Sequence, residues 1–399
     1  MGRHEIDSAV RTCVERFLAS SDAAPAIVLD VGWVNGLGAI RSLAQHGVRV
    51  LALDHRPSAL GFRSRQALPL LCPDPFIAEE RFADFLARLA EVLPAPAPVF
   101  ATHDDGLAAV ARAAPALAGR LLCPFPPTEK LELLQRKRWQ LERASEAGVS
   151  VPRTLHPASS ADARAAASEL GLPLLVKPSD PIGFRRAFRR QAFRCESIEE
   201  LEAAYERAKP FAPMLQELVP GSDDALYTVG SYLDGEGRAL GVFCGRKLRQ
   251  TPRGVGTCRI GESRWLPELV EDALRLLRAC EFVGLSQVEF KRDERDGAFK
   301  LMEINPRLWQ WHTLAASCGV NLPAIAYESL TGGAPAPRTS EGRSKRWVIT
   351  LLRGERPVVA RPPFTEPVFS LRDPKPGLVH LARYLKKLGR AERRPEPAR

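Results

Sequence analysis

Residues 287–307 read QVEFKRDERDGAFKLMEINPR, and this stretch predicts two antiparallel strands joined by a polar turn. Side chains alternate between the two faces of a strand, so each of these strands has one apolar and one polar face. The residues expected on the apolar face are Val288, Phe290, Met302 and Ile304. The residues expected on the polar face are Gln287, Glu289, Lys291, Glu303 and Asn305. A hairpin of this pattern buries one face and presents carboxylates and an amide on the other.

The polar face of this hairpin is a candidate metal site. If the turn closes at 293–297, Glu289 lies opposite Glu303, and Asn305 shares their face. Two carboxylates and a carboxamide are hard oxygen ligands, which suit Mg²⁺ with bound phosphates better than Zn²⁺. The alternative interpretation is a solvated strand face that carries acids by chance.

Two upstream lysines favour the metal-and-phosphate interpretation. Lys177 ends the apolar strand 173–177, where a cation is costly to bury unless a partner such as a phosphate compensates it. Lys137 lies on a helix predicted over 129–147; on its own it would be interpreted as an ordinary surface lysine. Residues 216–221 read QELVPG, a strand that leads into a Pro-Gly turn.

Taken in order, these four motifs resemble the ATP-grasp superfamily, and the resemblance covers roughly residues 25–335. Further upstream, the apolar strands 26–30 and 48–54 flank an amphipathic helix, which predicts a parallel, doubly wound sheet. That unit is similar to the domain that precedes the ATP-grasp in carbamoyl phosphate synthases, biotin carboxylases and D-alanine–D-alanine ligases.

The expected fold class therefore combines α/β and α+β architecture. We expect residues 1–125 to form a Rossmann-like, parallel α/β domain. Residues 126–335 would form a two-subdomain ATP-grasp domain with antiparallel sheets, its lid subdomain lying at about 150–220. Residues 336–399 would form a small, basic C-terminal extension with a disordered tail.

The resemblance also implies roles for the matching residues, with ATP and two Mg²⁺ ions as cofactors and Mn²⁺ as an alternative ion. The nucleotide-binding residues that it implies are Lys137, Lys177, Gln216, Glu217, Val219 and Asp223. The metal ligands that it implies are Glu289, Glu303 and Asn305. Arg307 would lie beside the transferred phosphoryl group. Arg246 and Lys247 either neutralise an acyl phosphate or simply end a solvated basic strand.

The segment 178–192 departs from the superfamily pattern. It is expected to be a loop over the phosphates, but it has one glycine where many relatives have several. A glycine-rich loop covers phosphates with backbone N–H groups. Here four arginines are expected to supply positive charge instead, namely Arg185, Arg186, Arg189 and Arg190.

Three short motifs suggest other functions. The glycine turn at 32–38, with Asp54 about 20 residues on, resembles a dinucleotide-binding turn, and Tyr205 with Lys209 matches the catalytic pair of short-chain dehydrogenases. This pair lies beyond the predicted domain boundary, so we interpret the glycines as serving a tight turn and helix packing. Residues 102–105, THDD, predict a helix-capping turn rather than a metal cluster.

Composition limits the remaining function classes. The chain has 399 residues, 45% of them hydrophobic, and no apolar run long enough to span a bilayer. Its net charge of +10 is concentrated at one end, because residues 341–399 hold 15 Lys and Arg against 6 Asp and Glu. The body is near neutral, which argues against nucleic-acid binding. Eight scattered cysteines and a polar N-terminus favour a cytoplasmic protein.

The sequence as a whole predicts an ATP-dependent ligase that joins a carboxylate to an amine through an acyl phosphate. Its expected partners are the two small-molecule substrates, without nucleic acid or membrane; a homodimer is left open. An ATP-grasp carboxylase acting through carboxyphosphate is the alternative within this fold. An NAD-dependent dehydrogenase and a non-catalytic nucleotide-binding module are the alternatives from other classes.

Overall fold

Three β-sheets flanked by helices organise the chain in the computed structural model. The structure describes residues 6–19, 21, 23–117, 119–179, 181–254, 256–352, 355–358 and 363–391. Within these ranges, no helix combines the length and the apolar character that crossing a membrane requires.

The first sheet is parallel and is formed by the N-terminal part of the chain. Its strands are β1 (Ala26–Leu29), β2 (Val50–Asp54), β3 (Ala67–Leu71), β4 (Ala97–Ala101) and β5 (Leu121–Leu122). The accompanying helices are α1 (Ser8–Leu18), α2 (Val34–Ala44), α3 (Glu79–Val92) and α4 (Asp104–Ala113). The strand order is β3-β2-β1-β4-β5. Every residue of β1, β2 and β4 is buried, as expected for continuous apolar strands covered on both faces.

The second sheet is small and antiparallel, with strand order β6-β9-β7-β8. Its strands are β6 (Thr154–Leu155), β7 (Leu174–Pro178), β8 (Phe193–Cys195) and β9 (Pro213–Glu217). The helices before and around it are α5 (Thr128–Gln135), α6 (Lys137–Glu146), α7 (Ser160–Leu170), α8 (Pro181–Phe188) and α9 (Ile198–Ala208). This sheet has its own apolar core against α7, α8 and α9.

The third sheet is the largest, with strand order β14-β13-β10-β11-β12-β16-β17 and β15 paired to β11. Its strands are β10 (Leu226–Leu233), β11 (Ala239–Thr251), β12 (Thr257–Ser263), β13 (Gly284–Arg292), β14 (Phe299–Asn305), β15 (Arg338–Thr339), β16 (Arg346–Val348) and β17 (Phe364–Thr365). The later helices are α10 (Pro267–Ala279), α11 (Thr313–Ser317), α12 (Leu322–Leu330) and α13 (Pro374–Ala391). The pairs are antiparallel except β11–β15 and β16–β17.

One parallel and two largely antiparallel sheets, in this order along the chain, confirm the predicted fold class. The predicted domain boundaries stay a prediction.

The arginine-rich segment 178–192 was expected to be a loop, but most of it forms helix α8. A proline fits the first position of a helix, where its missing N–H is not needed. The rings of Phe184 and Phe188 lie one turn apart and pack edge-on against Phe193. These aromatic contacts hold the helix against the small sheet. Arg189 and Arg190 are exposed; the side chains of Arg185 and Arg186 lie outside the described residues.

The C-terminal segment is more structured than its composition suggests. We expected one strand over 347–352 and one helix over 378–388, whereas three short strands join the large sheet and α13 begins at Pro374. The expected disorder of the last nine residues concerns a stretch that, beyond Ala391, lies outside the described residues.

Arg41 on α2 attaches this C-terminal segment to the helices that cover the parallel sheet. Its Nε lies 3.0 Å from Asp373 Oδ2, and its guanidinium also donates to the carbonyl groups of Pro367, Val368 and Asp373. Ser64 Oγ donates to the same carboxylate over 2.8 Å. Asp373 is fully buried, so these donors offset the cost of removing its carboxylate from water.

Replacing Arg41 with methionine should therefore lower the free energy of unfolding by about 3–5 kcal/mol, because a buried carboxylate loses its charged partner and three carbonyl groups lose a donor. Urea denaturation followed by tryptophan fluorescence measures this change. The matched control is Arg112→Met, which removes an exposed ion pair with Glu79 and should cost about 1 kcal/mol or less. Equal losses in the two variants would contradict the anchoring role.

Candidate active site

The β13–β14 hairpin has the predicted register. Glu289 pairs with Glu303, and Gln287 pairs with Asn305. The turn closes where expected, with hydrogen bonds of 2.8 Å across 293–298. Two carboxylates and one carboxamide therefore share one face of the large sheet.

The apolar face of the hairpin differs from the prediction at one position. A bulge follows the Glu289 pair, so that Phe290 lies opposite Leu301 and Met302 is the extra residue. The extra residue reverses the alternation of the side chains beyond it. Leu301 is consequently fully buried, whereas Met302, expected in the core, is only half-buried.

Each carboxylate on the polar face has a lysine as its ionic partner. Glu303 lies 3.6 Å from Lys137 Nζ and accepts a hydrogen bond of 3.0 Å from Asn305 Nδ2. Glu289 lies 2.7 Å from Lys247 Nζ. Burial alone would raise the pKa of Glu303, but Lys137, the bond from Asn305 and nearby positive charge lower it to about 2. Glu303 is therefore ionised at neutral pH.

Lys177, on β7 of the small sheet, interacts electrostatically with two of these charged groups, Lys137 and Glu303. Its Nζ donates to Gln216 Oε1 over 2.6 Å, and Gln216 Nε2 in turn donates to Thr154 Oγ1 over 2.9 Å. The pKa of Lys177 is lowered to about 7, chiefly by burial and also by the charge of Lys137, with Glu303 opposing the shift. The ammonium group of Lys177 is thus hydrogen-bonded to a neutral amide, and its burial disfavours the charged form.

Lys137 reaches the hairpin because the helix predicted over 129–147 is in fact two helices. Arg136 is extended, with φ −82° and ψ 105°, and ends α5, so that Lys137 is the first residue of α6. One turn later, the buried Gln140 accepts a hydrogen bond from Ile304 N over 2.8 Å and donates to Ile304 O over 3.1 Å. β14 is an edge strand, so its backbone has no neighbouring strand on the outer side. Between Glu303 and Asn305, the Gln140 side chain makes the hydrogen bonds that such a strand would make.

Arg307 connects the hairpin to α4, beside the parallel sheet. Its Nε lies 2.5 Å from Asp104 Oδ1, and a second nitrogen donates to Oδ2 over 3.3 Å. Asp104 begins α4 at the carboxyl end of β4. We expected residues 102–105 to cap this helix, but the N-cap His103 makes no side-chain capping bond, and Asp104 contacts Arg307 instead. The pair joins residues 203 positions apart, which no local pattern in the sequence indicates.

The side chain of Glu217 is not directed to this site. It is buried and accepts hydrogen bonds from Lys300, from Arg295 and from the backbone of Arg153, each within 2.9 Å. Its own backbone N–H donates to Arg153 O. Val219 is buried two residues later. The strand end at 216–219 is therefore tied firmly to the hairpin turn.

Asp223 also has protein partners. Its carboxylate accepts bonds from the backbone N–H groups of Gln250 and Gly254, both 2.9 Å, and from the Gln250 side chain. It thereby shapes one wall of a cavity of about 520 Å³ beside the strand end. The other lining residues include Leu226, Leu248, Arg253, Ile260 and Lys291.

Arg246 and Lys247 point in opposite directions. Lys247 is buried on the polar face beside Glu289. Arg246 lies opposite the core residue Tyr227 and pairs with Glu262 over 2.7 Å. Of these two candidates, the structure brings only Lys247 to the site.

The residues that suggested a dehydrogenase have other partners. Asp54 is fully buried and accepts three hydrogen bonds from Arg56, between 2.9 and 3.1 Å. Tyr205 is buried, and its hydroxyl donates to Pro157 O over 2.7 Å. Neither side chain is placed to bind a nicotinamide nucleotide.

The candidate metal site depends on Glu289, Glu303 and Asn305, which are brought together as predicted. In the described part of the chain, no group of three or more His, Cys, Asp or Glu could hold a metal ion. An oxygen-only set of two ionic carboxylates and one amide fits Mg²⁺ and does not fit a thiolate- or imidazole-preferring metal.

Comparison with known proteins places the fold. The model of the family described as "ATP-grasp in the biosynthetic pathway with Ter operon" matches residues 227–350. A D-aspartate ligase from Enterococcus faecium is 24% identical over 182 residues, covering 43% of this chain and 43% of the ligase. The chain thus matches less than half the length of that relative.

Solved structures resemble a larger part of the chain. A biotin carboxylase–β,γ-ATP complex from Campylobacter jejuni has a TM-score of 0.63 and 19% identity, covering 78% of this chain and 72% of the carboxylase. An L-amino acid ligase from Bacillus licheniformis has a TM-score of 0.57 and 16% identity, covering 78% and 75%. At these identities the likeness shows the fold. Together the comparisons confirm the predicted ATP-grasp resemblance.

Gln140 offers a test of how the metal-site strand is held. In Gln140→Met, the backbone N–H and C=O of Ile304 lose their partner while buried, so the free energy of unfolding should fall by about 1–3 kcal/mol. Hydrogen exchange at the Ile304 amide should be faster by about tenfold or more, since about 1.4 kcal/mol is tenfold in an equilibrium. The control is Gln135→Met, a half-buried glutamine at the end of α5. Unchanged exchange in Gln140→Met would contradict this role.

Proposed function

We propose that this chain, a member of the ATP-grasp superfamily, is an ATP-dependent ligase that joins a carboxylate to an amine through an acyl phosphate. The observation that carries the proposal is the convergence of Lys177 from the small sheet, Lys137 from α6 and Glu303 from the large sheet. Cations beside ionised carboxylates suit a nucleotide triphosphate with bound Mg²⁺. The cleft between the two sheets is where such a ligand would meet all three.

The nucleotide would lie along this cleft. Lys137 and Lys177 would bind its phosphates, and Gln216 would orient Lys177. The backbone at Glu217 and Val219 would meet the base, and the cavity beside Asp223 supports placing the nucleoside end there. Because the Asp223 carboxylate already accepts three hydrogen bonds, a ribose would have to share it with the 250–254 loop.

Glu289, Glu303 and Asn305 would hold Mg²⁺, with two ions as the expected number and Mn²⁺ as a substitute. When bound, the metal supplies positive charge that offsets the charge of the phosphates. Lys137 and Lys247 are the cations that neutralise the two carboxylates in this structure.

The chemistry follows from the poor reactivity of a carboxylate. Its charge and resonance repel nucleophiles, and transfer of the γ-phosphoryl group to it divides one difficult step into two easier ones. Arg307, oriented by Asp104, would bind the transferred group and the oxyanion that forms later. The amine then attacks the acyl carbon, and phosphate leaves.

A carboxylase that acts through carboxyphosphate is the second candidate, supported by the biotin carboxylase fold. The two candidates differ in what ADP release requires. The ligase needs a carboxylic acid other than bicarbonate and releases ADP fastest with an amine present. The screen is therefore ADP release with each of the twenty standard amino acids, D-aspartate or bicarbonate, with and without a second amino acid or ammonium. Release that depends on bicarbonate alone would favour the carboxylase.

Glu303→Gln should abolish ADP production while leaving the fold intact, because it removes one charge from a strand face and adds no bulk. We expect a loss of at least about 10²-fold, the scale of removing one preorganised electrostatic group from an active site. The matched control is Glu142→Gln, an exposed glutamate on α6. Wild-type ADP production by Glu303→Gln would exclude the assignment.

Binding of MgADP should take up protons at pH 8. With a pKa of about 7, Lys177 is mostly neutral at pH 8, and a phosphate favours its charged form. We expect uptake of about 0.9 proton and up to about tenfold weaker binding per pH unit above 7. Calorimetry in buffers of different ionisation enthalpy measures the uptake. It should vanish in Lys177→Met and shrink in the wild type at pH 6; equal uptake by both proteins would refute the assignment.

A further inference from the structure

A second group of charged side chains lies at the carboxyl edge of the parallel sheet, and the mechanism above uses none of it. One or two of its members follow each of the strands β1 to β4. This carboxyl-edge cluster consists of Asp30, Asp54, Arg56, Asp74, His103 and Asp105. In parallel α/β sheets, ligands bind in the crevice at the carboxyl ends of the strands.

Asp30 is the member that points to a ligand. It is only 6% exposed, and its Oδ2 has no hydrogen-bond partner among the residues that the structure describes. Its backbone has a φ of +63°, and Thr102 Oγ1 donates to its carbonyl over 2.9 Å. A carboxyl group buried without a partner is costly, so a ligand that donates to it would recover the lost interaction.

Two glycines leave room for these side chains. A Cβ at Gly106, in the first turn of α4, would lie 2.1 Å from Asp30 Oδ2. A Cβ at Gly32 would lie 2.2 Å from a guanidinium nitrogen of Arg56. Any other residue at either position would displace a charged group of the cluster.

The cluster lies beside the proposed site of reaction. His103 precedes Asp104, which binds Arg307. The pKa of His103 is lowered to about 4, chiefly by burial and also by the charges of Arg307 and Arg56. His103 is therefore neutral at pH 7, and its buried Nε2 also has no partner among the described residues.

The charge of the cluster suits a cation. Its permanent cation, Arg56, is already bound to Asp54, and the neighbouring His55 lies 3.5 Å from Asp74. The pKa of Asp30 is raised to about 8, chiefly by burial and also by Asp54, Asp105 and Asp74, with Arg56 opposing the shift. A bound cation would favour the ionised form of Asp30, whereas a bound anion would be repelled by the neighbouring carboxylates.

We propose that the carboxyl-edge cluster binds the amine substrate as its ammonium ion, and that Asp30 receives the proton that the amine loses before it attacks. This inference rests on the proposed ligase function. The ammonium R–NH₃⁺ gives one proton to the Asp30 carboxylate and becomes R–NH₂. Its lone pair forms the C–N bond as the bond from the acyl carbon to the phosphate oxygen breaks. The second proton leaves with the phosphate as HPO₄²⁻.

The test separates the two halves of the reaction. Hydroxylamine is neutral at pH 7 and captures an acyl phosphate as a hydroxamate without an ammonium site. Wild-type protein with ATP, Mg²⁺ and the acid found by the screen should form the hydroxamate with hydroxylamine and the amide with the amine. If no acid gives a hydroxamate with the wild type, the proposed function fails rather than this inference.

Asp30→Asn is the deciding variant, since asparagine tolerates a positive φ and has a similar shape but cannot accept the proton. We expect kcat/KM for the amine to fall about 10²-fold or more. The rate of hydroxamate formation should fall less, by a factor at least about tenfold smaller. The wild-type kcat/KM for the amine should rise with pH as Asp30 ionises near pH 8, and this inflection should disappear in the variant. The control is Asp84→Asn, an exposed aspartate on α3. Equal losses in both reactions by a variant with wild-type melting temperature would overturn the proposal.

Gly106→Ala provides an independent test if Asp30→Asn does not fold. Alanine is a better helix former than glycine, so its main effect should be its methyl group against Asp30 Oδ2. The same selective loss of amide formation is expected. An unchanged ratio of amide to hydroxamate would overturn the proposal.

Discussion

Burying a charged group costs free energy because the group loses its hydration, and the structure of the candidate active site depends on how this cost is offset. Three ion pairs offset it, and each joins different elements: Lys137 with Glu303, Lys247 with Glu289, and Arg307 with Asp104. Breaking a buried pair is more costly than its presence is stabilising, so each pair fixes the relative position of the elements that carry it. Lys177 differs, because its hydrogen-bond partner is a neutral amide, and burial lowers its pKa. Most charged side chains at the candidate site are thus paired with an opposite charge of the protein itself, whereas Lys177 is hydrogen-bonded to a neutral group.

The position of the carboxylates depends on the edge strand that carries Glu303. β14 has a neighbouring strand on one side only, and Gln140 provides the other partner through its amide. The bulge at Met302 matters as well, because it lets Leu301 enter the core while Glu303 keeps its pairing with Glu289. A regular strand would have kept Leu301 on the polar face.

Alternation and motif order in the sequence predict much of this arrangement, including the Glu289–Glu303 register, the parallel sheet and the fold class. The features that the sequence does not predict depend on contacts between residues that are far apart in the chain. Asp104 meets Arg307 and Gln140 meets Ile304 across 203 and 164 positions. Local sequence signals also gave a wrong prediction where packing determines the structure. The arginine-rich segment 178–192 was expected to be a loop, but its phenylalanines pack against the small sheet and most of the segment is helical. Adjacent Arg246 and Lys247 look alike in sequence, yet strand geometry separates them.

The bond between Arg41 and Asp373 has a consequence for biosynthesis. The two residues are 332 positions apart, so α2 emerges from the ribosome long before its partner exists. Until then, Arg41 must remain hydrated or bind another anion, and α2 lacks one of its packing partners. Domains generally fold as units during synthesis, N-terminal first. In this chain the parallel sheet emerges first, but the surroundings of α2 are completed among the last, and a chain truncated before residue 373 would lack the buried partner of Arg41.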